Sequence, residues 1–267
     1  MKPFILVALL CVLCSSQPSR NDLSPEDFGA YLVTDQNGKR EIVIRSNYYV
    51  TEGKPDDLKA AKLGIDFWNN LSGQFILLEM DSTGKLTDEY LPIRFELKIE
   101  TCNDPLSTQK LNDSLGRNKI PGAVILNTFL LVDTIENDVD GCRVKNPGIS
   151  AGLTCKASFT RVKLHYKDSV KVIAHEIGHT LGLLDMERKE ALMHEDTSGG
   201  IELYEFEIRK ILDHAYGFKA NWFRNHFDPS IPEGDIVHIS ARDRDWQPCS
   251  SEFLKSKPQK DKKRKRK

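Results

Sequence analysis

The sequence predicts an α+β chain, because five short apolar runs read as strands while three other segments carry helical spacing. Three observations support this. Ile93, Phe95, Leu97 and Ile99 alternate with polar residues at the period of a half-buried strand. Leu58, Ala61, Ile65 and Trp68 recur as one face of a helix. Val170, Val172, Ile173, Ile177, Leu181 and Leu183 do the same in a more apolar segment. A length of 267 residues suits one substantial domain or two small ones, and 39% hydrophobic with 29% charged residues is ordinary for a soluble globular chain.

In chain order, Lys2 precedes the apolar run Phe4 to Leu13, and Cys14-Ser15-Ser16 follow. A positive start, a short apolar stretch and small residues describe a secretory signal peptide over residues 1–16, cut after Ser16. Lipid modification of Cys14 is the alternative, disfavoured by the bulky Leu13 before it. The run is too short to span a bilayer and no later segment is long and apolar enough, so no transmembrane segment is expected. Residues 17–40 are polar, with Pro18, Pro25 and Gly38, and read as a leader too short for a folded prodomain.

Residues 41–217 read as the main domain. Ile42, Val43 and Ile44 mark a strand within Glu41 to Val50. Pro55-Asp56-Asp57 opens a helix that Asn69 to Gly73 stop. Gln74 to Met80, Leu91 to Ile99, Gly122 to Val132 and Ser158 to His165 give four more strands, and the last leads into the apolar helix. A further helix is expected from Ile201 to Tyr216, ended by Gly217. Residues 218–254 hold Trp222, Phe223, Phe227 and Trp246, enough apolar surface to pack onto the domain as a small irregular extension.

Residues 255–267 are a basic tail with nine Lys or Arg. The formal net charge of −1 hides this split. Without those nine cations, Asp261 and Lys2, the chain has 28 basic against 38 acidic residues, a body charge of −10. A solvated, disordered run is one reading, and contact with polyanions, an anionic surface or the acidic body is the other. A secreted chain makes nuclear import a poor third.

With Cys11 and Cys14 in the signal, Cys102, Cys142, Cys155 and Cys249 remain, an even number that suggests two disulfides in an oxidising compartment. Of three pairings, Cys142 with Cys155 is the local one, leaving Cys102 with Cys249. No Cys-x-x-Cys pair supports a thiolate zinc site. Asn70-Leu71-Ser72 and Asn112-Asp113-Ser114 match the N-glycosylation pattern.

The chemistry concentrates at Val172 to Asp185. His175 and His179 are four apart, so a helix presents them one turn apart on one face, where they can grip one Zn²⁺. Glu176 beside them is placed as a general base. Gly182 can end the helix at positive φ and turn the chain so that Asp185 returns as a third ligand. Three protein ligands leave a fourth position open, the arrangement of a catalytic rather than a structural zinc. The bland alternative is an amphipathic core helix with two histidines on its polar side.

His175-Glu176-x-x-His179-x-x-Gly182-x-x-Asp185 resembles the zinc signature of the metzincin metallopeptidases, and Asp in last place resembles their snapalysin-type branch. Ala191-Leu192-Met193-His194 is similar to the Met-containing turn of that clan, with Met193 beneath the metal. The helix ending at Tyr216-Gly217 is similar to the last helix of matrixin-type domains. The resemblance covers about residues 41–217 and is specific from His175 to Met193. It implies a twisted, mixed five-stranded sheet, one catalytic Zn²⁺ and a secreted, monomeric endopeptidase acting on protein or peptide substrates. The substrate would lie along an edge strand, for which the strand within Gly122 to Val132 is the candidate. Several relatives carry Tyr two residues after the Met, where this chain has Glu195. Two other readings stand beside this one. One is a catalytically silent fold that binds a partner. The other is a gluzincin-type peptidase with Glu202 or Glu205 as third ligand. His165 could support the site from its strand.

Overall fold

A computed structural model describes residues 28–50, 54–101, 127–135, 138–139, 142–143, 150–155, 159–216 and 225–239. The signal and leader up to residue 27, the basic tail, Cys102, Cys249, Asn112 and the Gly217 cap lie outside them. The side chains of Cys142 and Cys155, on which the local disulfide pairing falls, also lie outside the described residues. Asn70 is exposed just past the end of its helix.

The fold is α+β, with a mixed sheet and three α-helices among the described residues. The strands are β1 (Phe28–Thr34), β2 (Arg40–Val50), β3 (Phe75–Met80), β4 (Leu86–Thr101), β5 (Asn127–Val132), β6 (Asp138–Val139), β7 (Cys142–Arg143), β8 (Gly152–Cys155), β9 (Phe159–Lys163), β10 (Asn225–Phe227) and β11 (Gly234–His238). The helices are α1 (Pro55–Asn69), α2 (Val170–Thr180) and α3 (Glu205–Tyr216). The main sheet has nine strands rather than five, in the order β11-β3-β4-β2-β5-β9-β8, with β1 also on β2 and β10 on β1. β6 and β7 form a separate pair. No helix among the described residues is long and apolar enough to cross a membrane.

β2, β4, β5 and β9 run parallel, which requires crossover connections, and α1 supplies the one between β2 and the strands that follow. Along β4, Ile93, Phe95 and Leu97 are buried as the alternation predicts. Arg94, Glu96 and Lys98 lie between them and meet Glu41 and Arg45 of β2 in a ladder of ion pairs at 2.9–3.2 Å. One face of this part of the sheet is therefore wet and charged. The ladder keeps it soluble more than it stabilises it, since exposed pairs contribute about 0–1 kcal/mol each. The other face carries the core, where α1 and α2 pack side by side. Gly64 of α1 lets Ile173 and Ile177 of α2 approach so closely that a Cβ there would lie 2.7 Å from both side chains. Trp68, fully buried, donates from Nε1 to the Ala174 carbonyl at 3.0 Å.

Several expectations need correction. The segment read as leader joins the sheet from Phe28, because β1 pairs antiparallel with β2 over seven positions and buries Phe28 and Ala30. β10 and β11 also enter the main sheet, so the part of 218–254 that is described is not an irregular subdomain. α3 begins at Glu205, not Ile201. Residue 202 instead runs beside residue 191 as a bridge, and Glu207 Oε2 accepts from Tyr204 N at 2.9 Å to start the helix. β5 is not an edge, being paired with β2 on one side and β9 on the other. Beside α2 lies β8, antiparallel to β9 and paired with no other strand among the described residues.

The close approach at Gly64 can be tested directly. Gly64→Val should overpack the α1–α2 contact and lower the unfolding free energy by about 1–3 kcal/mol, read as an earlier urea midpoint. An unchanged midpoint would mean that the helices are not this close.

Candidate metal centre

α2 starts where Ser169 caps it, its hydroxyl accepting from Val172 N at 3.3 Å. The helix ends in a Schellman turn: Leu183 N bonds to Gly178 O and Gly182 N to His179 O, each at 3.1 Å. Gly182 has φ 91°, as expected for the turn residue, and a Cβ there would overlap the ring of His214 on α3. Glycine is thus required twice, for the backbone angle and for the space.

The reversal brings Asp185 back to the helix. Asp185 Oδ1 lies 3.2 Å from His175 Nε2 and 3.3 Å from His179 Nε2, and the two Nε2 atoms are 3.1 Å apart. His175, His179 and Asp185 form the group that could hold a metal ion among the described residues. The rings are held by their other nitrogens. His175 Nδ1 bonds the Leu192 carbonyl at 3.0 Å and His179 Nδ1 the Leu183 carbonyl at 2.9 Å. A carbonyl only accepts, so both Nδ1 atoms carry hydrogen and neutral rings turn bare Nε2 lone pairs inward. Three acceptors then face one another at 3.1–3.3 Å, which is repulsive unless a proton or a cation lies among them. Burial opposes charge on His179, but its hydrogen bond to Asp185 and the nearby Glu176 carboxylate raise its pKa to about 9. The hydrogen bonds from both histidines hold Asp185 well below the ordinary carboxylate range.

Glu176 is buried and its side chain reaches β8, where Thr154 Oγ1 donates to Oε2 at 2.8 Å. Burial raises the Glu176 pKa, against the pull of His179, His175 and the Thr154 hydrogen bond. Oε1 lies over Gly152, where any Cβ would overlap the carboxylate. Met193 is fully buried, and its sulfur sits against Gly178, 2.6 Å from where a Cβ would be. The thioether therefore packs under the turn of helix that lies between the two histidines.

Other anticipated residues do not join. Glu202 takes the Tyr204 hydroxyl at 2.8 Å and Glu205 opens α3, so neither is in the group with the histidines. His165 is exposed in a 3₁₀ turn after β9, with its ring against Tyr166. Glu195, in the place where relatives have Tyr, is exposed.

Four supporting residues escaped the sequence reading: Gly152, Thr154, Lys171 and Gly178. Only Lys171 had a legible signal, since it precedes His175 by the same four residues that separate His175 from His179. Its ammonium is buried and donates to the carbonyls of Ala191, Leu192 and His194. Burial lowers its pKa to about 8, with Asp185, Glu207 and Asp196 pulling the other way.

Elemental analysis tests the ligand set. Asp185→Ala should lose most bound divalent metal, and Glu202→Ala should keep it. The reverse pattern would move the third ligand to Glu202. Metal added to the wild-type chain at about a thousand times its dissociation constant should add about 4 kcal/mol of stability, seen as a raised thermal midpoint.

No protein-family model, curated protein or solved structure matches this chain.

Proposed function

We propose that this chain is a zinc-dependent endopeptidase of metzincin type, in which His175, His179 and Asp185 hold one Zn²⁺ and Glu176 is the general base. The observation that carries the reading is the convergence of three ligand atoms beside a buried carboxylate on the same helix. The donor set fits zinc, because tetrahedral bonds of about 2.0–2.1 Å separate ligand atoms by about 3.3–3.4 Å, close to the spacings found. Two imidazoles fixed by backbone carbonyls, with one carboxylate, are the ligand types of a catalytic zinc with an open position. The order of strands, helix, strands and His-bearing helix is kept, though with two strands before α1 and seven after it where one and four were expected, and Met193 packs beneath the histidines.

Bound there, zinc supplies Lewis acidity, polarising a peptide carbonyl and making a water more acidic. The remaining work belongs to the chain. Glu176 takes a proton from the attacking water and returns it to the leaving amine. Its burial makes it a stronger base than a surface carboxylate. Thr154 holds one of its oxygens, which fixes the carboxylate's orientation, and Gly152 provides the room. A peptide in extended form would add to the outer side of β8, which pairs only with β9 among the described residues. That strand takes the role first expected of Gly122 to Val132.

Glu176→Gln should retain bound zinc and lower casein cleavage by roughly 10²–10⁴-fold. Cleavage at the wild-type rate would sink the assignment. Gly152→Ala should also retain zinc while losing activity, because the new methyl group displaces the carboxylate. A chelator should abolish cleavage, and added zinc should restore it. Chelator-resistant cleavage would place the chemistry elsewhere.

A further inference from the structure

We infer that Lys171 is a positioning residue for the metal centre: its ammonium locks the turn at residues 191–194 against α2, and this turn supplies the carbonyl that aims the His175 ring. The inference rests on the proposed metal site and goes beyond it. Lys171, His175 and His179 fall at i, i+4 and i+8, a single stripe along the helix. Each donates to the chain that returns after Gly182. His179 takes the Leu183 carbonyl, His175 takes that of Leu192, and Lys171 takes those of Ala191, Leu192 and His194. The Leu192 carbonyl is therefore shared between Lys171 and His175. Its direction is set by the cation, and the His175 ring follows it.

Lysine is rarely this buried without a carboxylate partner. Lys171 is only 9% exposed, and among the described residues no carboxylate makes a close ion pair with it, Asp185, Glu207 and Asp196 acting on it from further away. All three of its hydrogens go instead to main-chain carbonyls at 3.0–3.2 Å and, for Leu192, closer still. An ammonium with three donors on one atom can solvate three converging carbonyls in this way, whereas a planar guanidinium cannot. The tripod holds the main chain on both sides of Met193, whose sulfur lies under Gly178 between the two ligand histidines. Without the cation the His194 carbonyl loses its donor, those of Ala191 and Leu192 keep only His194 N and His175 Nδ1, the turn loosens, and His175 Nε2 is no longer held 3.2 Å from Asp185 Oδ1.

The test uses Co²⁺ as a probe on the full chain, with Lys171→Met and Lys171→Arg compared with the wild type. Affinity comes from titration, site geometry from the visible absorption spectrum at saturating Co²⁺, and fold stability from the thermal midpoint of the metal-free protein. Lys171→Met should weaken Co²⁺ binding by about 10–100-fold and change the spectrum, with Lys171→Arg between it and the wild type. Wild-type affinity and spectrum in Lys171→Met, even with a lower metal-free midpoint, would show that Lys171 only braces the fold and would overturn the inference. Should Lys171→Met fail to fold, Lys171→Arg decides: weaker Co²⁺ binding supports the inference, and unchanged binding overturns it. Failure of the wild type to take up Co²⁺ or Zn²⁺ would overturn the metal reading itself and this inference with it. That result precedes any variant, so the two failures are distinguishable.

Discussion

The reversal of the chain at Gly182 is the constraint on which the rest of the site depends. A helix alone can present two imidazoles, but its own geometry cannot bring a carboxylate ten positions after the first of them to the same point. The Schellman turn does this by closing two backbone hydrogen bonds and sending the chain back along α2. Its glycine adopts positive φ against the ring of His214, so a side chain is excluded by backbone and by packing alike.

Once reversed, the chain has to be held, and polar donors on the helix hold it. His175, His179 and Lys171 each meet main-chain carbonyls of Leu183 to His194. Buried polar groups are costly when unpaired, so a network in which donors and carbonyls satisfy one another has few alternative arrangements of comparable energy. Apolar packing supplies the rigid floor. α2 is buried along nearly its whole length, Trp68 and Gly64 seat it against α1, and Met193 fills the space under Gly178. On the other flank β8 contributes Thr154 and Gly152, one to bind the Glu176 carboxylate and the other to make room for it.

Much of this was legible in the residues, though unevenly. α1 runs from the Pro55 start to the Asn69 stop, because proline at the first helical position and the polar residues after Trp68 act locally. The alternation of β4 was equally plain, since one of its faces is wet. β1 was hidden by composition: Tyr31-Leu32-Val33 is a fair strand signal, but it sits in a segment whose prolines and polar residues dominate any average. β8 is four residues long and begins with glycine, too short for its period to show. Nothing local tells which strand forms an edge, because a neighbour may come from far away in sequence, as β11 does for β3.

By itself the sequence determined the pieces whose physics is local: the spacing that sets His175, Glu176 and His179 on one helix, the glycine that ends it, and the carboxylate three residues later. The tertiary structure alone decided which distant groups meet them. It chose Asp185 over Glu202 as the neighbour of the histidines, enclosed β5 between two strands while β8 pairs only with β9 among the described residues, and put Lys171, Leu192 and Met193 around the ligand-bearing helix. The division follows from range. Backbone angles and helical periodicity act over a few residues, while the placement of a buried donor depends on every element that packs against it.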